Sequence, residues 1–178
     1  MYRFLSMLLF LALTTSAPAQ LLEQITVKEA LPSVQTRAQA EFAQDAVVTH
    51  AMFYALEYQG IRLDMDLSNG KATGWVYRFH SPGLGSAAWY VGVKLPLVGY
   101  QSVKLALDTL PSNIPVALGS TALDEPWVDS PQALQGSKDG GADTFLQQHG
   151  DAKVLMALAM NNPVQNSYIP AGKYWLMR

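Results

Sequence analysis

Residues 61–80 read IRLDMDLSNGKATGWVYRFH, and the fold follows from how this stretch alternates. Ile61, Leu63, Met65 and Leu67 are interleaved with Arg62, Asp64, Asp66 and Ser68, the period-two pattern of a half-buried strand with one wet face. Asn69-Gly70 follows, and that pair predicts a two-residue type I′ hairpin turn, which needs positive φ at both central residues. Beyond the turn, Trp75, Tyr77 and Phe79 share one face of a second strand, with Val76, Arg78 and His80 on the other.

Working outward, Pro82, Gly83 and Gly85 mark a turn over residues 81–86, after which Trp89, Val91, Val93 and Leu95 alternate again. Residues 47–57 are mostly apolar, but their period is too mixed to assign one buried face. Residues 47–107 therefore read as an antiparallel meander. Before it, Thr26 and Glu29 have capping-box spacing. Pro32 offers a competing helix start, because proline is tolerated in a first turn. Val34, Ala38 and Phe42 then form an i, i+4, i+8 stripe, and the helix is expected to end near Asp45.

Residues 108–126 carry Pro111, Pro115, Gly119 and Pro126 and read as a connector. Asp129-Ser130-Pro131 predicts a second helix start, continued by Ala133, Leu134 and Lys138 and interrupted or ended at Gly140-Gly141. Residues 152–160 read as a strand, 161–172 as a turn, and 173–178 as a final strand. The order is helix, strands, connector, helix, strands. It predicts an α+β fold of two helix-on-antiparallel-sheet units, residues 20–107 and a shorter 127–178 packed with the first.

The first residues carry an export pattern. Arg3 supplies the positive end, Leu5 to Leu13 is apolar apart from Ser6, and Ala17-Pro18-Ala19 supplies the small residues that a signal peptidase reads. Residues 1–19 are expected to be cleaved, leaving Gln20 first and 159 of the 178 residues. The apolar run is about half of the ~20 residues that a membrane-spanning helix needs. The expected location is thus periplasmic or secreted, with no membrane attachment after cleavage. With zero cysteines there is no disulfide, thiolate or Cys-type zinc site. Loss of Arg3 leaves 11 basic against 14 acidic groups with no basic run, which argues against nucleic acid as a partner.

Three patches together resemble a known group. They are Asn69-Gly70-Lys71-Ala72 with Trp75, Tyr77 and Phe79; Trp127-Val128-Asp129-Ser130 with Ala133, Gly140-Gly141 and Phe145; and Tyr174-Trp175-Leu176. In these the chain resembles the PepSY-like exported bacterial proteins, over most of residues 26–178. The resemblance implies a cystatin-like helix against a curved antiparallel sheet. It also implies a regulatory or inhibitory association with peptidases, and it brings no catalytic residues. Pro32 and residues 96–126 depart from the pattern.

Candidate chemistry is sparse. His50, His80 and His149 include no i, i+4 pair. His50 and His80 could meet across the meander, and with Asp64 or Asp66 they would form a His/carboxylate metal set; Asp64 and Asp66 read more simply as a strand's wet face. Ser130, His149 and Asp129 are the best available hydrolase trio, without a Gly-x-Ser-x-Gly elbow, and Asp129-Ser130 already has work as a helix cap. Asp64 and Asp66 lie about 7 Å apart by strand rise, with nothing to separate their pKa values as a glycosidase pair requires. Gly83-x-Gly85 and Gly140-Gly141 are too short to cradle phosphates.

Aromatics are the enriched feature: Tyr54, Tyr58, Trp75, Tyr77, Phe79, Trp89, Tyr90 and Tyr100. Trp89 and Tyr90 are adjacent and point to opposite sides of a strand. The expected function is a non-catalytic extracytoplasmic module without cofactor or metal, binding a protein or peptide through Trp75, Tyr77, Trp89 and Tyr90 or through a strand edge. The alternative is a small hydrolase using His50 or His80 with a nearby Asp. No pocket is expected beside either histidine, His80 abutting the 81–83 turn.

Overall fold

The computed structural model describes residues 22–58, 61–106, 119–161 and 171–177. Expectations for residues 1–19, Gln20, most of the 108–126 connector and the 162–170 turn lie outside these. The chain is α+β, with helix α1 (Val27–Glu41) followed by strands β1 (Val47–Phe53), β2 (Glu57–Tyr58), β3 (Ile61–Arg62), β4 (Met65–Asp66), β5 (Lys71–Ala72), β6 (Gly74–Ser81), β7 (Ser86–Leu95) and β8 (Gly99–Leu105). Helices α2 (Ser130–Asp139) and α3 (Ala142–Gln148) precede strands β9 (Met156–Asn161) and β10 (Gly172–Met177). Among the described residues no helix is long and apolar enough to cross a membrane.

The capping box fixes where α1 begins. Thr26 Oγ1 accepts from Glu29 N, and Glu29 Oε2 accepts from Thr26 N at 2.6 Å. Pro32 therefore lies inside the helix, not at its start. Its missing N–H leaves the Lys28 carbonyl without the usual i→i−4 donor. Val34 and Ala38 are buried against the sheet, as the stripe predicts.

The meander forms as β1-β6-β7-β8, each pair antiparallel. Trp75, Tyr77 and Phe79 face α1. Trp75 Nε1 donates to Ile25 O at 2.9 Å and Tyr77 Oη to Val27 O at 2.6 Å, tying the sheet to the entry of the helix. Gly92 is where α1 comes closest. A Cβ there would sit 2.5 Å from Val34 Cγ2 and 3.2 Å from Ala30 Cβ.

Two details depart from the pattern. Residues 61–68 are not one strand. Tyr58↔Ile61 and Met65↔Ala72 belong to separate two-stranded ladders, with Leu63 buried between them and bonded through its N–H to Leu56 O. The alternation still sorts buried Leu63 from exposed Arg62 and Asp64. The β4–β5 turn also spans 67–70, with Gly70 alone at positive φ (71°). Asp66 organises it: Oδ1 accepts from Ser68 N, and Oδ2 from Asn69 Nδ2 at 2.7 Å.

The C-terminal strands do not build a second sheet. β9 pairs with β1, and β10 with β9, so the order is β10-β9-β1-β6-β7-β8 in one six-stranded sheet. The free edge of β1 offers unpaired backbone groups, and apolar Met156, Ala157 and Leu158 become buried by taking it. Trp175 on β10 completes the core edge-on to Trp75, ring centroids 6.1 Å apart.

Candidate functional site

The site is built by an irregularity in β1. Val48 pairs with Phe79 and His50 with Arg78, so Thr49 is an inserted residue. A bulge of this kind sets two residues opposite one and re-aims their side chains. Here it puts Ala51, not His50, opposite Tyr77 on the helix side. Thr49 and His50 are left together beside Arg78. The mixed period of residues 47–57 is this bulge seen in the sequence.

The three side chains interlock. Arg78 Nη1 donates to Thr49 Oγ1 at 3.0 Å and to the Gly119 carbonyl at 2.5 Å. Thr49 Oγ1 lies 3.2 Å from Arg78 O and 3.0 Å from His50 Nδ1. A hydroxyl has one proton. It can serve the Arg78 carbonyl or His50 Nδ1, and the imidazole tautomer sets which. Burial draws the Arg78 guanidinium below its ordinary pKa.

These residues floor a cleft of about 350 Å³. His80 stands at the end of β6, and Ser86 and Ala87 open β7 beside it. Ser120 and Thr121 form an exposed rim, and Met160 of β9 contributes an apolar wall. So His50 and His80 do share a concavity, contrary to the expectation from sequence. Antiparallel pairing places Val47 opposite His80, and the 119–121 segment, held through Arg78, lines the cleft. Thr49, Arg78 and the hydroxyls at 86, 120 and 121 were not singled out by sequence reasoning.

The aromatic expectation fails. Trp75, Tyr77 and Tyr90 are fully buried and Trp89 is 3% exposed. Trp89 does point away from Tyr90, pairing with Arg78 and Leu105, but that face is covered too. A Cβ on Gly74, for example, would meet Leu63 Cδ2 at 2.8 Å. None of the four can reach a partner.

The other constellations are not assembled. Asp129 Oδ1 accepts from both Lys28 N and Ser130 N, Ser130 Oγ lies 3.4 Å from Val27 N, and His149 stacks on Phe145 at the end of α3. Asp64 pairs with Arg62, and Asp66 holds its turn. Among the described residues no three of His, Asp and Glu come together as a metal-ligand set.

Comparison with protein-family models, with curated proteins and with solved structures gives no match to this chain. The arrangement of the cleft therefore carries the functional argument alone.

Proposed function

We propose that the protein is an exported, non-catalytic binding module, PepSY-like in its helix-against-sheet arrangement, that takes its extracytoplasmic ligand in the cleft beside the β1 bulge. One observation carries the reading: a preformed concavity whose described lining offers hydroxyls, imidazoles and a guanidinium, held in place by bonds to the sheet itself. At about 350 Å³ the cleft falls within the size range of small-ligand sites, in which a few placed polar groups orient the ligand. The aromatic route to a partner is closed by burial, so the cleft replaces it.

The hydrolase alternative asks for an imidazole oriented by a carboxylate. Asp45 is the acid whose charge interacts with His80, but its oxygens accept from Ser81 Oγ at 2.6 Å and Gly83 N at 2.7 Å. That geometry braces a turn and leaves the imidazole unoriented by it. The PepSY-like resemblance adds an envelope peptidase or its peptides as the expected partner.

The test is side-chain NMR of Arg78, His50 and His80 while a mixed library of neutral, cationic and anionic small molecules and short peptides is added. Shifts confined to cleft residues, without turnover of any compound, are expected. A library that leaves all three side chains unmoved overturns the reading. Export is checked separately by intact mass of protein recovered from outside the cytoplasm, which should begin at Gln20; retention of residues 1–19 refutes it.

A further inference from the structure

Resting on the cleft reading, we propose that the group recognised there is a single carboxylate, held by the Nε–Nη2 edge of Arg78. A guanidinium carries five N–H donors. Arg78 spends the two on Nη1, on Thr49 Oγ1 and Gly119 O. Those two bonds fix the plane of the fork against β1 and the 119–121 segment. Among the described residues the donors on Nε and Nη2 have no hydrogen-bond acceptor, and the Arg78 side chain lines the cleft.

Charge points the same way. The described residues form five ion pairs, and Arg78 is in none of them. A half-buried guanidinium with no carboxylate partner among the described residues is costly unless an anion completes it. Its two remaining nitrogens present parallel donors at the spacing of a carboxylate's two oxygens, a bidentate match that a compact ammonium cannot make. Arg78 is the one permanent cation on the described lining, so a monoanion balances it and a phosphate dianion leaves surplus negative charge. Ser86, Ser120 and Thr121 stand where they can bond the rest of a small ligand.

The carboxylate has two sources with the same chemistry, a free organic acid or the C-terminus of a peptide, and the experiment separates them. The full mature chain is titrated with propionate, propionamide, inorganic phosphate, and a tripeptide as free acid and as C-terminal amide, following Arg78 Nε–H and the His50 and His80 ring signals. Propionate or the free-acid tripeptide should shift these signals, with propionamide and the amidated peptide at least about tenfold weaker. Arg78→Lys keeps the charge and loses the fork, and should weaken binding about tenfold or more. Because Arg78 also braces Thr49, Ser120→Glu on the exposed rim is the second variant. It offers a competing internal carboxylate without touching the floor, and should weaken binding similarly. Binding by the free acid alone assigns a metabolite-like ligand, and binding by the peptide assigns a chain terminus; either supports the proposal. Equal binding of propionate and propionamide, or binding of phosphate without propionate, overturns it while leaving the cleft a binding site. Silence from every compound here and in the wider library removes the binding reading itself.

Discussion

Asp129 is a single carboxylate serving two helix starts. The first turn of any helix leaves N–H groups without partners. In α1 they are met by Ser130 Oγ at Val27, Asp129 Oδ1 at Lys28 and Thr26 Oγ1 at Glu29, while the same Asp129 oxygen caps α2 through Ser130 N. Two positive dipole ends thus converge on one negative group. Asp129→Ala should cost about 2 kcal/mol, by the usual worth of a cap counted at both ends, lowering Tm by roughly 4–8 °C in a thermal melt followed by circular dichroism. Asp129→Asn keeps an acceptor and should cost less than half as much. Asp45 gives a pH-dependent counterpart. Bonds from Ser81 Oγ and Gly83 N favour its charged form and hold its pKa below the ordinary 3.8. A depressed carboxylate stabilises the fold fully above its unfolded pKa and loses that contribution as pH falls through the folded one. Stability should therefore slope downward below about pH 4, and Asp45→Asn should flatten part of that slope in urea melts from pH 2 to 6. An unchanged slope would show that the Asp45 bonds do not form in solution.

At the level of elements, α1 and β1 each carry one residue that breaks their own rule. Pro32 is exposed in the helix interior. Interior proline costs about 3 kcal/mol, offset by roughly 1 kcal/mol from its restriction of the unfolded chain. Pro32→Ala should accordingly stabilise the protein by about 2 kcal/mol, readable as a higher urea midpoint at constant m-value. Thr49 is the rule-breaker in β1. Thr49→Val keeps its shape and removes the acceptor of Arg78 Nη1, so stability should fall by about 1–2 kcal/mol and the Arg78 side-chain signals should broaden. These two residues also mark what the sequence could convey. The capping box, the α1 stripe and the facing of Trp75, Tyr77 and Phe79 were legible, because each is a local spacing that local backbone geometry enforces. Exposure was not: alternation tells which side Trp89 takes, and only the distant chain lying over that side decides whether it is wet. The cleft was half legible. A meander brings the strands of His50 and His80 together, but a one-residue bulge decides which face His50 takes. Arg78 looked like any wet-face residue until the 119–121 segment was laid against it.

For the whole molecule, the order of strands decides how it unfolds. Two units, as the element order suggests, would each hold a sheet and could melt separately. One sheet, with β9 and β10 added at the edge of β1, joins the two C-terminal strands to the meander and puts Met156, Ala157 and Leu158 in the common core. Met156 and Leu158 are each 1% exposed, and burial of such side chains is worth about 1.5–3 kcal/mol apiece. Trp175 adds an edge-on contact to Trp75, which in turn meets Phe53 at 6.2 Å and the helix entry at Ile25 O. Trp175 Nε1 also bonds Val128 O, linking β10 to the segment that caps α1. Removing β9 and β10 would therefore expose the β1 backbone edge, uncover Met52 and Phe53 alongside it, and free the cap. That loss is comparable to the whole stability of a domain this size. We expect the mature chain to give one transition, coincident by tryptophan fluorescence and far-ultraviolet circular dichroism. A chain ending at Gly150 should lack cooperative unfolding and show unprotected amides across β1. Separate transitions in the mature chain, or a cooperative melt of the shortened one, would instead mean that residues 20–107 fold as a unit of their own, with β9 and β10 as an accessory hairpin.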